Sequence, residues 1–171
     1  MLNKERQEEV VELCQHLIQK QSYSGHEDGV AGVLEGQLKK KGFDSVTVDK
    51  YGNVIGCIKG NRPGKKILFD GHIDTVPVTD ETEWQYPPFA AEIHDGKIYG
   101  RGTSDMKGAV AGFVTAAAAF AEDTKKDFAG EIYVAGVVHE ECFEGVAARE
   151  ISNFVKPDYV VIGEASQLNI K

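Results

Sequence analysis

No two cysteines in this sequence form a CxxC pair: the only three, Cys14, Cys57 and Cys142, are an odd number spread along 171 residues. That spacing speaks against a disulfide frame or a cysteine zinc site and fits reduced, buried thiols in a cytoplasmic protein. Basic charge is scarce as well. The 19 Lys and Arg face 27 Asp and Glu, for a net charge of −8. A nucleic-acid partner would call for a basic face, so none is expected. Nor is there a long apolar run. The most hydrophobic stretch, Ala109 to Ala121, is too short and too alanine-rich to span a bilayer. The opening Met1-Leu2-Asn3-Lys4-Glu5-Arg6 runs into charge where a signal peptide would turn apolar, so no membrane partner is expected. Repeats, low-complexity tracts and linkers are also missing. The remaining composition, 42% hydrophobic and 27% charged, is ordinary for one globular domain with a single core.

Periodicity supplies the elements. Glu5 to Lys20 carries Val10, Val11, Leu13, Cys14, Leu17 and Ile18 as a helical stripe. Ser24-Gly25-His26-Glu27 reads as a capping box opening a second helix, which Gly42 should stop. Val46 to Val48 and Val54 to Ile58 read as two strands, and Lys66-Ile67-Leu68-Phe69 as a buried parallel strand. Asp95-Gly96 should turn a short hairpin between Ile93 and Ile98. Met106 to Glu122 predicts an alanine-rich helix packed closely on a sheet. Ile132 to Val138, Glu144 to Phe154 and Tyr159 to Ile162 then predict strand, helix and strand. This alternation indicates an α/β fold with a mostly parallel central sheet and helices on its faces.

Chemistry-bearing residues gather where those strands end. His72 and Asp74 follow one strand, Glu140 and Glu141 another, and Glu164 a third, while Asp105 sits in a glycine turn just before a helix. In such folds ligands bind beyond the carboxyl ends of the strands, so the set converges on one rim. One imidazole and several carboxylates are the donors of a metal site, with Asp74 able to orient His72. Of two adjacent carboxylates, one can ligate while the other works as a base on water. Taken singly, each cluster also has a plainer reading: a surface loop for His72-Ile73-Asp74, a helix cap for Asp105, a solvated helix start for Glu140-Glu141. The turn at Gly100-Arg101-Gly102 lacks the spacing of a nucleotide fingerprint. His16, His26, His94 and His139 read as structural or exposed, and Cys142 beside His139 lacks the third group a thiol nucleophile needs.

Three motifs in order, Gly71-His72-Ile73-Asp74-Thr75-Val76-Pro77, Gly100-Arg101-Gly102-Thr103-Ser104-Asp105-Met106-Lys107-Gly108 and Glu140-Glu141, make the chain resemble a known family. It is the two-zinc metallopeptidase and deacylase family of acetylornithine deacetylase, succinyl-diaminopimelate desuccinylase, aminoacylase and carboxypeptidase G. The selenium-metabolism-linked hydrolases are the subgroup it is most similar to. The resemblance implies a zinc-exopeptidase-like fold. It also implies two Zn2+ ions, or Co2+ or Mn2+ in their place, with His72, Asp105, Glu141 and Glu164 as metal ligands. Asp105 would bridge the two ions, through a cis Asp105–Met106 peptide. Glu140 would be the general base and Asp74 would orient His72. The implied substrate is an N-acyl amino acid or small peptide, with Glu at position 164 tilting towards N-acyl amino acids. A dipeptidase or aminopeptidase, or a non-catalytic metal-binding fragment, is the alternative.

In that family the last ligand, a histidine, lies in a C-terminal stretch beyond an inserted lid and dimerisation domain. Residues 1–171 are therefore expected to be the N-terminal part of the catalytic domain of a homodimer, with the lid and C-terminal part absent and little turnover in isolation. An uncovered sheet edge is the structural expectation that goes with it.

Overall fold

The computed structural model describes residues 3–143 and 145–166. In chain order the elements are α1 (Lys4–Ile18), α2 (Asp28–Lys40), β1 (Ser45–Val48), β2 (Val54–Lys59), β3 (Arg62–His72), β4 (Glu92–His94), β5 (Lys97–Tyr99), α3 (Gly108–Thr124), β6 (Ala129–Val137), α4 (Glu140–Phe143), α5 (Val146–Val155) and β7 (Tyr159–Ile162). The main sheet has the order β1-β2-β6-β3-β7, and β4 and β5 form the separate hairpin turned by Asp95 and Gly96. Four of the five strands point the same way; β2 is the reversed one, pairing antiparallel with both β1 and β6. The mostly parallel sheet read from the sequence is therefore present.

Alternation along β3 assigns the layers. Phe69 packs on Phe113 of α3, their ring centroids 5.2 Å apart. Lys66, on the opposite face, donates from Nζ to Val155 O at the end of α5. Helices thus cover both faces, as a sheet with two apolar faces requires. α1 buries Leu13, Cys14, Leu17 and Ile18, α2 buries Val30, Leu34 and Leu38, and the core runs continuously through Leu68, Ile73, Val110, Val134 and Ile151. Gly42 (φ 77°) ends α2 as expected, and Phe43 N reaches back to Leu38 O.

Several expectations need correction. Ser24 and Glu27 do not form a capping box: Glu27 stands at the start of α2 without a side-chain cap bond, and Ser24 Oγ donates instead to Asp74 Oδ2. The helix expected from Glu144 to Phe154 is preceded by the short α4 and begins at Val146; Glu144 lies outside the described residues. α3 begins at Gly108 because residues 103–107 take a wider turn of their own. Cys14 and Cys57 are buried as read, but Cys142 is exposed. Among the described residues, no helix is long and apolar enough to cross a membrane.

Close approach of α3 to β3 depends on Gly71. A Cβ there would meet Met106 Cε at 2.8 Å and Val110 Cγ2 at 2.9 Å. Gly71→Ala is expected to cost about 1–3 kcal/mol by overpacking, read by urea unfolding. Wild-type stability in that variant would contradict the tight contact. β7 is exposed: its residues Tyr159, Val160, Val161 and Ile162 are all open to solvent, with β3 as its neighbour on one side. The chain on its own should bind a hydrophobic dye and self-associate on concentration, and the double change Val160→Lys, Ile162→Lys should suppress both. Sedimentation of an unmodified monomer that takes up no dye would count against a sticky edge.

Candidate metal centre

β3 ends by delivering His72, which is 2% exposed. Its Nδ1 lies 3.0 Å from the backbone oxygen of Asp74 and 3.5 Å from Asp74 Oδ1, while Nε2 lies 2.8 Å from Asp105 Oδ1. Fixing one ring nitrogen leaves the other as the atom that faces a ligand position. The contact of Asp74 with the imidazole is thus chiefly through its carbonyl.

The Asp74 carboxylate is fully buried and is occupied elsewhere. It accepts Ser24 Oγ–H at 2.6 Å and the backbone N–H groups of Glu140 and Glu141, each at 3.1 Å. Where β6 leaves the sheet, its amides lose strand partners and must be satisfied otherwise. Val138 N donates to Asn53 Oδ1 (2.9 Å), His139 N to Glu27 Oε1 (3.0 Å), and the next two to Asp74. Four successive amides thus hang on three buried side chains. His139, at φ 59°, makes the turn that starts α4.

Asp105 arrives on the turn of residues 103–107, next to Met106 across a cis peptide. Lys107 anchors that turn. Fully buried, it donates from Nζ to Leu17 O and Lys20 O, both at 2.9 Å, where α1 runs out of its own hydrogen bonds. Burial pulls its ammonium down to about 8, against the attraction of Cys14 and Asp74.

His72, Asp105 and Glu141 each place one ligand atom within 4.8 Å of the others. Glu164 Oε1 stands 4.0 Å from His72 Nε2, outside that three-way cluster, and Glu164 is solvent-exposed. Glu140 and Glu141 are half-buried. An imidazole nitrogen and carboxylate oxygens at this separation fit a divalent cation such as zinc. The electrostatics agree. Burial opposes charge on His72, yet Asp74 and Asp105 outweigh it and hold the imidazolium up to about 10. Burial also opposes charge on Asp74, where His72, Ser24 and the amides of Glu141 and Glu140 prevail and keep it below the usual carboxylate range. Glu140 and Glu141 are raised, first by burial and then by neighbouring carboxylates, with His72 pulling the other way. Too many negative charges share too little solvent, which a cation would relieve.

Three residues escaped the sequence reading. Asp70 lies two positions before His72 on β3, so it shares that face; burial first and Glu164 second push its carboxyl up to about 6. An Asp inside an apolar strand was the available signal. Glu27 and Lys107 had no such signal, since a cap and a loop lysine are common. His26 is exposed, and His94 stacks on Tyr86 at 3.8 Å, away from the cluster, as expected. His139 is different, because its backbone belongs to the site.

Comparison with known proteins follows the same line. The chain is 34% identical over 165 residues to succinyl-diaminopimelate desuccinylase 2 of Ruegeria sp., covering 92% of this chain and 41% of that protein. Its fold matches an M20 family metallo-carboxypeptidase of Sulfolobus solfataricus (TM-score 0.78, 23% identity, 91% of this chain, 37% of that one). Human carnosine dipeptidase 1 matches similarly (TM-score 0.75, 24% identity, 91% and 38%). The chain thus spans about two fifths of the length of the relatives it resembles. Residues 68–171, which carry His72, Asp105, Glu141 and Glu164, match the model of peptidase family M20/M25/M40, and the chain belongs to that family.

Proposed function

We propose that the whole protein is a metal-dependent amidohydrolase that cleaves the amide bond of an N-acyl amino acid or small peptide, and that residues 1–171 are the N-terminal part of its catalytic domain. The observation that carries this reading is the convergence of His72 Nε2, Asp105 and Glu141, with the second His72 nitrogen already engaged by Asp74. The Ruegeria relative, named a desuccinylase, favours an N-acyl amino acid over a dipeptide. His72, Asp105, Glu141 and Glu164 would hold zinc, with cobalt or manganese as substitutes that an oxygen-rich set accepts. A final histidine ligand outside this sequence and a homodimeric whole protein complete the proposal. A cytoplasmic setting is part of it too, supported by the three widely spaced cysteines.

Bound there, the cations supply Lewis acidity that polarises the scissile carbonyl and makes water easier to deprotonate. The chain does the rest. Asp74 fixes the His72 ring and, through two amides, sets the direction in which Glu140 and Glu141 leave the sheet. Glu140, raised above the ordinary carboxylate range by its partial burial, takes the proton of the attacking water and returns it to the leaving amine.

Glu140→Gln in the whole protein should lower kcat by about 10²–10⁴-fold while metal content stays near wild type; His72→Ala should lose metal. Undiminished turnover in Glu140→Gln would sink the assignment of the base.

Metal uptake should also expel a proton. His72 is held protonated up to about 10, so a cation can take Nε2 only by displacing its hydrogen. Calorimetric titration near pH 7 in buffers of different ionisation enthalpy should show about one proton released from His72 on binding of the ion that takes Nε2. Without metal, the raised value stabilises the fold fully below the unfolded pKa of about 6.5, and that stabilisation fades as pH climbs through the folded value. A titration with no dependence on buffer would contradict the protonated His72.

A further inference from the structure

We infer that Glu27 is a positioning residue for Glu140 and Glu141, acting through the backbone of His139; the inference rests on the metal-centre reading above. Glu27 is 6% exposed. A carboxylate taken from water needs partners that replace its hydration. Glu27 finds them in two backbone amides: Gly25 N at 3.0 Å, and His139 N at 3.0 Å, which is 112 residues away in sequence. It makes no cap bond to the helix it precedes. Its position is therefore explained by the distant contact, not by helix α2.

The contact falls where the backbone needs it. His139 adopts φ 59°, the left-handed region that a non-glycine residue occupies only where its surroundings hold it. Its side chain supplies no hydrogen bond for the purpose: Nδ1 is buried without a hydrogen-bond partner, 3.5 Å from Glu27 Oε1. The restraint lies in the amide. Asp74 fixes the amides of Glu140 and Glu141 relative to His72, and Asn53 holds Val138 N where β6 ends, which leaves His139, the residue at the bend, between the two anchors. Glu27 supplies the anchor at that bend. Glu141 then already stands with His72 and Asp105 before any ligand arrives.

Three substitutions in the whole protein separate this role from a helix-start role. Glu27→Gln keeps the reach and an acceptor oxygen. Glu27→Asp keeps the charge and is the better helix start, but is one methylene short of His139 N. Glu27→Ala removes both. The readouts are hydrogen exchange at the His139, Glu140 and Glu141 amides, and affinity for Co2+ followed by its visible absorption, with thermal unfolding of each variant alongside. Gln should stay close to wild type. Asp and Ala should speed His139 exchange at least about tenfold and weaken Co2+ binding about 10–100-fold, the scale of lost support around metal ligands. A helix-start role gives the reverse order, with Asp at least as good as wild type and Gln impaired. Wild-type exchange and Co2+ affinity in Glu27→Asp would overturn the inference. Should Glu27→Ala fail to fold, the Gln and Asp pair still decides. His72→Ala is the control: Co2+ binding untouched by it would defeat the metal-centre reading, while His139 exchange would still report on Glu27.

Discussion

The site hangs on one buried carboxylate. Asp74 lies in the interior with no solvent to stabilise its charge, and the partners that do so come from three places: Ser24 ahead of α2, the amides that open α4, and His72 at the end of β3. Because each partner is needed to keep the charge tolerable, the three segments are held in register with one another. Removing the carboxylate would release all of them together, whereas loss of a single exposed side chain such as Glu164 would leave the frame standing. Around this point the molecule concentrates further negative charge on Asp70, Asp105, Glu140 and Glu141, with one imidazolium to balance it. Such an arrangement is poised for a cation.

The sheet explains why those residues meet. Four strands share a direction, so three of their carboxyl ends can contribute to one rim. β3 brings His72, β6 leads into Glu140 and Glu141, and β7 leads to Glu164. Gly71 lets α3 lie close against β3, which brings the Asp105 turn within hydrogen-bond distance of His72. Geometry at the site is thus a product of packing one turn away from it.

Much of this was legible in the sequence because it rests on local chemistry. Apolar periods located the helices and strands, Asp95-Gly96 announced its hairpin, and the acidic clusters declared themselves by standing at strand ends. The misreadings share one physical cause. Ser24 and Glu27 are ordinary helix-start residues, and a sequence does not say that the hydroxyl of one will donate to the Asp74 carboxylate and the carboxylate of the other will accept from a turn more than a hundred residues on. Asn53 and Lys107 are equally ordinary until the fold shows that one holds Val138 N and the other the last carbonyls of α1. The candidate metal-binding side chains were visible as donors, and Asp74 beside His72 as their orienting partner; Glu27 and Asn53 were not, because their contacts span long sequence separations.

Lys107 also constrains how the molecule comes apart. Its ammonium sits where water does not reach, hydrogen-bonded to the backbone oxygens of Leu17 and Lys20. Peeling α1 back from its C-terminal end would strand that charge in an apolar interior, a costly step. One side chain thus ties the end of α1 to the turn that carries Asp105, so the two are expected to loosen together.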